Sequence, residues 1–375
     1  MNNFQNINNK YKSYCPVPMV PGPVTMHPEV GLLAGADYGS GNLEADYRVL
    51  YRETSEKLAC LMGTENDVVL LTGEAMLALW AGLKNVLKPG DRVVSVITGI
   101  FGEGIADMAE SIGAVVERIN LPYDTTISDL SEIEKRIKAV KPLLITAVHC
   151  DTPSGTLNPL AGLGALKKEL DVPLFYVDAV ASLGGAPVEA DKWNIDFLLC
   201  GAQKCLSATP GECFLSVSDA AWDIIKKVKY QGYDELLPYN NIAQKVKFPY
   251  TPHWHGVAAL NKAVSLLYEE GIENVFKRHE KAANFCREEF QRRGFILYPD
   301  KSAILSPTVT SVYIPKGRDS KIFLKKLRNE GLAAAGGLGK LSGKVFRFGH
   351  MGNQADIELL QKAFEIVDRV MKNHP

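Results

Sequence analysis

The sequence lacks a charge of one sign: 42 Lys and Arg stand against 43 Asp and Glu, leaving a formal net charge of -1. With no basic face, neither nucleic acid nor an anionic membrane surface is an expected partner, and small-molecule chemistry is the default. Long apolar runs are missing too. No stretch approaches the roughly 18 uninterrupted apolar residues of a membrane span. The opening MNNFQNINNKYKSY is polar and asparagine-rich, and holds neither a signal-peptide core nor an Arg-rich transit segment. The seven cysteines, at 15, 60, 150, 200, 205, 213 and 286, form no CxxC pair and no zinc-ligand spacing. They read as reduced, mostly buried thiols of a cytoplasmic protein. Internal repeats are absent, as is low complexity beyond the N-terminal tail.

What the chain does have is 46% hydrophobic residues over 375 positions, enough for two domains. From Asp67 onward, short apolar runs alternate with segments of helical period: DVVLLT, RVVSVIT, PLLITAV, PLFYV and the run ending at Cys200 are predicted strands. Strands apolar on both faces with helices between them predict an α/β fold, a mostly parallel sheet with helices on both faces. From about His255 the pattern changes to two long helices and then a smaller α+β arrangement. The expected division is a tail over 1–20, a large domain over 21–255 and a small C-terminal domain over 256–375. Ligands of such sheets bind beyond the C-terminal strand ends. The loops to read are therefore 73–74, 99–102, 149–155, 178–182 and 201–204.

Two residues stand out there. Lys204, in DFLLCGAQKCLSATPG, follows an apolar run and precedes the turn Thr209-Pro210-Gly211. An amine partly withdrawn from water at a strand end loses its proton more readily and can form a Schiff base; the plain alternative is a solvated loop lysine. Asp178, in VDAVASLGG, sets a carboxylate at the end of an apolar strand, which is unfavourable unless a cation or donor meets it. It reads either as the partner of a protonated ring nitrogen or as the N-cap of a following helix. Upstream, Val20-Pro-Gly-Pro-Val24 predicts a rigid turn whose glycine lets another group come close.

VDAVASLGG, then Gly201-Ala-Gln-Lys204, then Pro210-Gly211 resemble the class V aminotransferases of pyridoxal-phosphate fold type I, and the likeness runs from Pro21-Gly-Pro23 to about Gly352. The resemblance implies a pyridoxal 5'-phosphate (PLP)-dependent transaminase that moves an amino group between a small amino acid donor and a small 2-oxo acid, pyruvate or glyoxylate. It further implies a homodimer with shared active sites. Lys204 takes the place of the Schiff-base lysine and proton shuttle, and Asp178 that of the ring-nitrogen partner. Phe101, in GIFGEG, and Val180 take the two faces of the ring, each with a plain core residue as its alternative. Thr152, in HCDTPSG, is matched to the ring hydroxyl. The phosphate cup falls on Gly73, Glu74 and Ala75, where a helix start offers free amides to an anion; Gln203 helps, and Thr251 reaches in from the neighbouring subunit. Arg347, in VFRFGHMG, matches the arginine that grips the substrate carboxylate with its planar fork.

Glu74 departs from that pattern, because a carboxylate among phosphate-binding amides repels the phosphate. A glycine-glutamate pair and a His-x-Asp-Thr-Pro-Ser-Gly stretch resemble the pyridoxamine–pyruvate branch, which uses unphosphorylated pyridoxamine as substrate. The approach to Arg347, AAAGGLGKLSGK, holds no second arginine of the kind associated with that branch. SPTVTSVYIP is similar to the 2-aminoethylphosphonate–pyruvate enzymes. A non-catalytic ligand-binding protein on the same fold is the alternative from another class. GIFGEG has the wrong spacing for a dinucleotide fingerprint. Gln203 and the cysteine-free 331–350 segment argue against a cysteine desulfurase. His253-Trp-His255 would put two histidines on one face of a strand, but a lone pair is expected to be structural and no metal site is predicted.

Overall fold

The computed structural model describes residues 15–245 and 248–372. Most of the expected N-terminal tail lies outside them. The chain enters through β1 (Val17–Pro18), α1 (Pro28–Ala34) and α2 (Ala45–Met62). An alternation follows: β2 (Asp67–Thr72), α3 (Ala75–Lys84), β3 (Arg92–Ile97), α4 (Ile100–Ser111), β4 (Val115–Asn120), α5 (Ser131–Val140) and β5 (Leu144–Val148). After the small hairpin β6 (Cys150–Asp151) and β7 (Thr156–Leu157) come α6 (Ala161–Glu169), β8 (Leu174–Asp178), β9 (Phe197–Gly201), β10 (Glu212–Val217) and α7 (Asp219–Val228).

Seven of these strands make one sheet in the order β2-β10-β9-β8-β5-β3-β4. Only β10 runs antiparallel to its neighbours. Every residue of β5, β8 and β9 is buried, because helices cover both faces, and this is why the strands read as unbroken apolar runs. The order carries the chemistry. β5, β8 and β9 are consecutive parallel neighbours, with Val148 paired to Asp178 and Asp178 to Leu199. The loops that leave them, at His149, Ala179 and Ala202, therefore start side by side.

The C-terminal part holds α8 (Trp254–Glu270), α9 (Ile272–Arg292), β11 (Val309–Tyr313), α10 (Ser320–Asn329), β12 (Leu332–Ala333), β13 (Ala335–Gly336), β14 (Val345–Gly349) and α11 (Ile357–Lys372). β11, β14 and β13 form a separate antiparallel sheet. Its core is rich in phenylalanine: Phe290 lies 4.9 Å from Phe348 and 4.8 Å from Phe364, edge to face. Val17 and Met19 belong to this second core, with β1 paired in parallel to β12. By contrast, α8, expected to open the C-terminal unit, buries Val257, Leu260, Val264 and Leu267 in the core of the large sheet.

Local readings differ at a few places. Helix α7 is not anticipated by the strand-helix reading, although its start is signalled by Ser218, whose hydroxyl accepts from the Ala221 N–H at 3.2 Å. The His253-Trp-His255 stretch is not a strand. Trp254 starts α8, and His253 Nδ1 meets Glu212 Oε1 at 2.6 Å, a structural pairing. Among the described residues no group of three or more His, Cys, Asp or Glu could hold a metal ion, and no helix is long and apolar enough to cross a membrane.

Candidate active site

A cavity of about 270 Å³ opens beyond the C-terminal strand ends. Eight of the residues singled out in the sequence line it: Glu74, Ala75, Phe101, Thr152, Asp178, Val180, Gln203 and Lys204. They come from the starts of two helices and from three loops, brought together by the strand order.

Lys204 sits in a loop tied at both ends. The Ala202 N–H donates to the Glu212 carbonyl, the Ala208 N–H to that of Ala202, and the Ser207 N–H to that of Lys204. Its amine donates to the carbonyl of Pro21. The close approach expected of the 20–24 turn is made by this lysine: a Cβ on Gly22 would lie 2.5 Å from its Cδ, and the φ of +91° itself favours glycine. Burial lowers the amine's pKa, and the nearby Arg347 charge lowers it further. A solvated loop lysine is therefore not what the fold builds.

Asp178 ends β8 and is 5% exposed. Burial raises its carboxyl to about 6, offset by the Val180 N–H donated to Oδ1 at 2.8 Å and by the charge of Lys204. No helix starts in its loop, so it is not a helix N-cap. The carboxylate has acceptor capacity left for a donor in the cavity it lines.

Phe101 falls in the first turn of α4 and, like Val180, lines the cavity. Thr152 is buried, and its hydroxyl accepts from Arg347 Nη1 at 3.3 Å. Arg347, central in β14 and 5% exposed, also donates from Nε to the Gly336 carbonyl at 2.8 Å. Burial lowers its guanidinium to about 10 against the pull of Asp151. It reaches the cavity through Thr152 rather than lining it.

Two expected members stand apart. The Gly73 N–H binds the Gly211 carbonyl at 2.9 Å, so this glycine ties the α3 start to the lysine loop without lining the cavity. Thr251 is exposed and lines a different, small cavity with Tyr47, Thr72 and Glu212. Gln203 Oε1 is buried without a partner, leaving its amide free to turn toward a ligand. Sequence reading passed over Asp151, Met76 and Cys150. None of the three had a local signal, whereas Gly22 was marked by the Pro-Gly-Pro turn.

Residues 34–345 match the family model described as Aminotransferase class-V. An uncharacterised aminotransferase of Methanocaldococcus jannaschii is 39% identical over 91% of this chain and 89% of its own length. The pyridoxamine–pyruvate transaminase of Mesorhizobium japonicum is 31% identical over 90% and 87%. The crystal structure of an alanine–glyoxylate aminotransferase from Nostoc sp. superposes with a TM-score of 0.92 at 29% identity, covering 99% of each chain. With the family model spanning most of the sequence and the strand order delivering a half-buried lysine and a buried aspartate to one cavity, the chain belongs to the class V aminotransferases.

Proposed function

We propose that this aminotransferase binds pyridoxal 5'-phosphate in the cavity above the sheet and moves an amino group between a small amino acid and pyruvate or glyoxylate. The observation that carries this reading is the meeting of Lys204, its amine pKa lowered by burial, with the buried carboxylate of Asp178 in one cavity. The residues fit the cofactor. Asp178 offers a negative charge to a ring nitrogen, Phe101 and Val180 supply the two faces, and Thr152 a hydroxyl. Gln203 and the α3 start at Glu74 and Ala75, beside Gly73, take the phosphate end. When bound, the cofactor supplies the electron sink that makes a substrate Cα–H acidic. Lys204 Nζ accepts that proton; among the described residues it is the only lysine lining the cavity. Arg347 holds the substrate carboxylate and so orients the Cα–H bond toward the amine. The test is spectroscopic. The purified protein should carry a cofactor absorbance that shifts on adding an amino acid and returns on adding pyruvate or glyoxylate. A band indifferent to both rejects the reading and leaves a non-catalytic binding protein.

A second reading rests on Glu74, which lines the cavity at the N-cap of α3, stays exposed and caps no helix amide with its side chain. A carboxylate there suits an unphosphorylated ligand, and pyridoxamine is then a substrate. We expect phosphorus to co-purify in equal amount with the cofactor, and Glu74→Ser to tighten phosphorylated cofactor by about tenfold through removal of like charge. Turnover of free pyridoxamine with pyruvate, without bound phosphate, decides for the second reading.

We infer a cytoplasmic homodimer. Support comes from Leu43, Val49, Met76 and Tyr233, apolar or aromatic residues left exposed on the single chain. Met76 also lines the cavity, so a second copy seated there would close the site and bring its own residue 251 segment near. Sedimentation should give a mass of two chains; a stable monomer with full activity overturns this.

A further inference from the structure

Asp151 takes no part in the reaction as described, yet its surroundings are unusual. It ends β6 and is fully buried. Its Oδ2 lies against Gly99, where a Cβ would come within 1.9 Å, and accepts a long 3.4 Å bond from the Phe101 N–H. Its Oδ1 is buried with no hydrogen-bond partner. The next residue, Thr152, accepts from Arg347 Nη1 at 3.3 Å, and the guanidinium acts on the Asp151 carboxyl through its charge, without a direct ion pair. The charged groups that act on it are Arg347, which attracts, and Asp178 and Glu103, which repel. The hydroxyls of Tyr123 and Tyr298 and the thiol of Cys150 complete its titratable neighbours.

We propose that Asp151 is a proton-linked positioning residue, which balances the charge of Arg347 in the substrate-free site and takes up one proton when a substrate carboxylate docks there. The proposal rests on the reading of Arg347 as the carboxylate grip. Two carboxylates and one guanidinium in a buried space leave one negative charge unpaired, and neutralising the more deeply buried acid removes it. The proton comes from the buffer and forms an O–H on the carboxyl, giving the unpartnered oxygen region a donor. Burial already lifts this carboxyl to about 7, so the proton is accessible near neutrality. The sign follows from linkage. Anion binding raises the pKa further, so affinity is full below the substrate-free value and falls as pH rises through it, by up to about tenfold per unit.

The probe is propanoate, which carries a carboxylate and neither an amino nor an oxo group. Holoenzyme is titrated calorimetrically between about pH 7 and 8 in buffers of different ionisation enthalpy, which reads out protons taken up. Wild-type protein should take up a substantial fraction of a proton, Asp151→Glu should keep the uptake, and Asp151→Asn should show none and bind independently of pH. Zero uptake by the wild type, or equal uptake by Asp151→Asn, overturns the proposal. If Asp151→Asn does not fold, the wild-type and Asp151→Glu measurements decide: uptake in both supports the proposal, and its absence in either refutes it. Arg347→Gln separates the underlying reading. Undiminished propanoate binding by that variant removes Arg347 as the grip, whereas lost binding together with uptake by Asp151→Asn refutes the role of Asp151 alone.

Discussion

Replacing Lys204 with alanine is expected to slow transamination by about four orders of magnitude or more, since it removes both a covalent anchor and the base that moves the Cα proton. The lysine loop is held by backbone bonds at Ala202, Ser207 and Ala208, so its path does not depend on the side chain. The variant should therefore fold, with a far-UV spectrum and melting temperature near those of the wild type, and a small primary amine in the medium should restore part of the rate. Steady-state rates with an amino acid and pyruvate check this. Turnover within tenfold of wild type would remove Lys204 from the mechanism.

The second large effect is expected at Asp178. Asparagine keeps the shape and the bond from the Val180 N–H but removes the charge that a protonated ring nitrogen needs, and the rate should fall by about 10²–10³-fold. A pH arm separates charge from packing. The wild-type carboxyl, raised to about 6 by burial, becomes neutral as pH drops below that value. Binding of pyridoxal 5'-phosphate to the apoprotein should accordingly weaken below about pH 6, whereas Asp178→Asn should bind weakly at every pH, its profile lacking this step. An Asp178→Asn protein with wild-type rates refutes the assignment.

Much of this arrangement is legible along the chain because a doubly wound sheet obeys short-range rules. An apolar run ends, a polar residue follows, and strand order makes those ends neighbours. Asp178 and Lys204 were found in this way, and Asp67–Thr72 is a strand over the residues expected. Long-range relations left less trace. Asp151 looks like one more loop carboxylate beside Thr152, and only the fold buries it against Gly99 and near Arg347. Nothing local in the sequence puts Pro21 over Lys204. Helix α8 reads as the start of a new unit because the strand-helix alternation gives way there to long helices, yet its apolar face packs on the large sheet. Thr251 was matched through family resemblance, and a single chain leaves it outside the cavity.

The segment from Val17 to Val24 sets the timing of assembly. Val17 and Pro18 pair with Leu332 and Ala333, the Met19 carbonyl accepts from the Gly349 N–H, Pro21 lies over the lysine amine, and the Val24 N–H binds the Gln203 carbonyl. A ribosome releases this strip about 300 residues before its anchors at 332–349. The central sheet can form while translation continues, but the strip must wait, since closing so long a loop before its partners exist gains nothing. The nascent protein thus stays without the roof over Lys204 until those later strands emerge, and the setting of this amine is completed only after them.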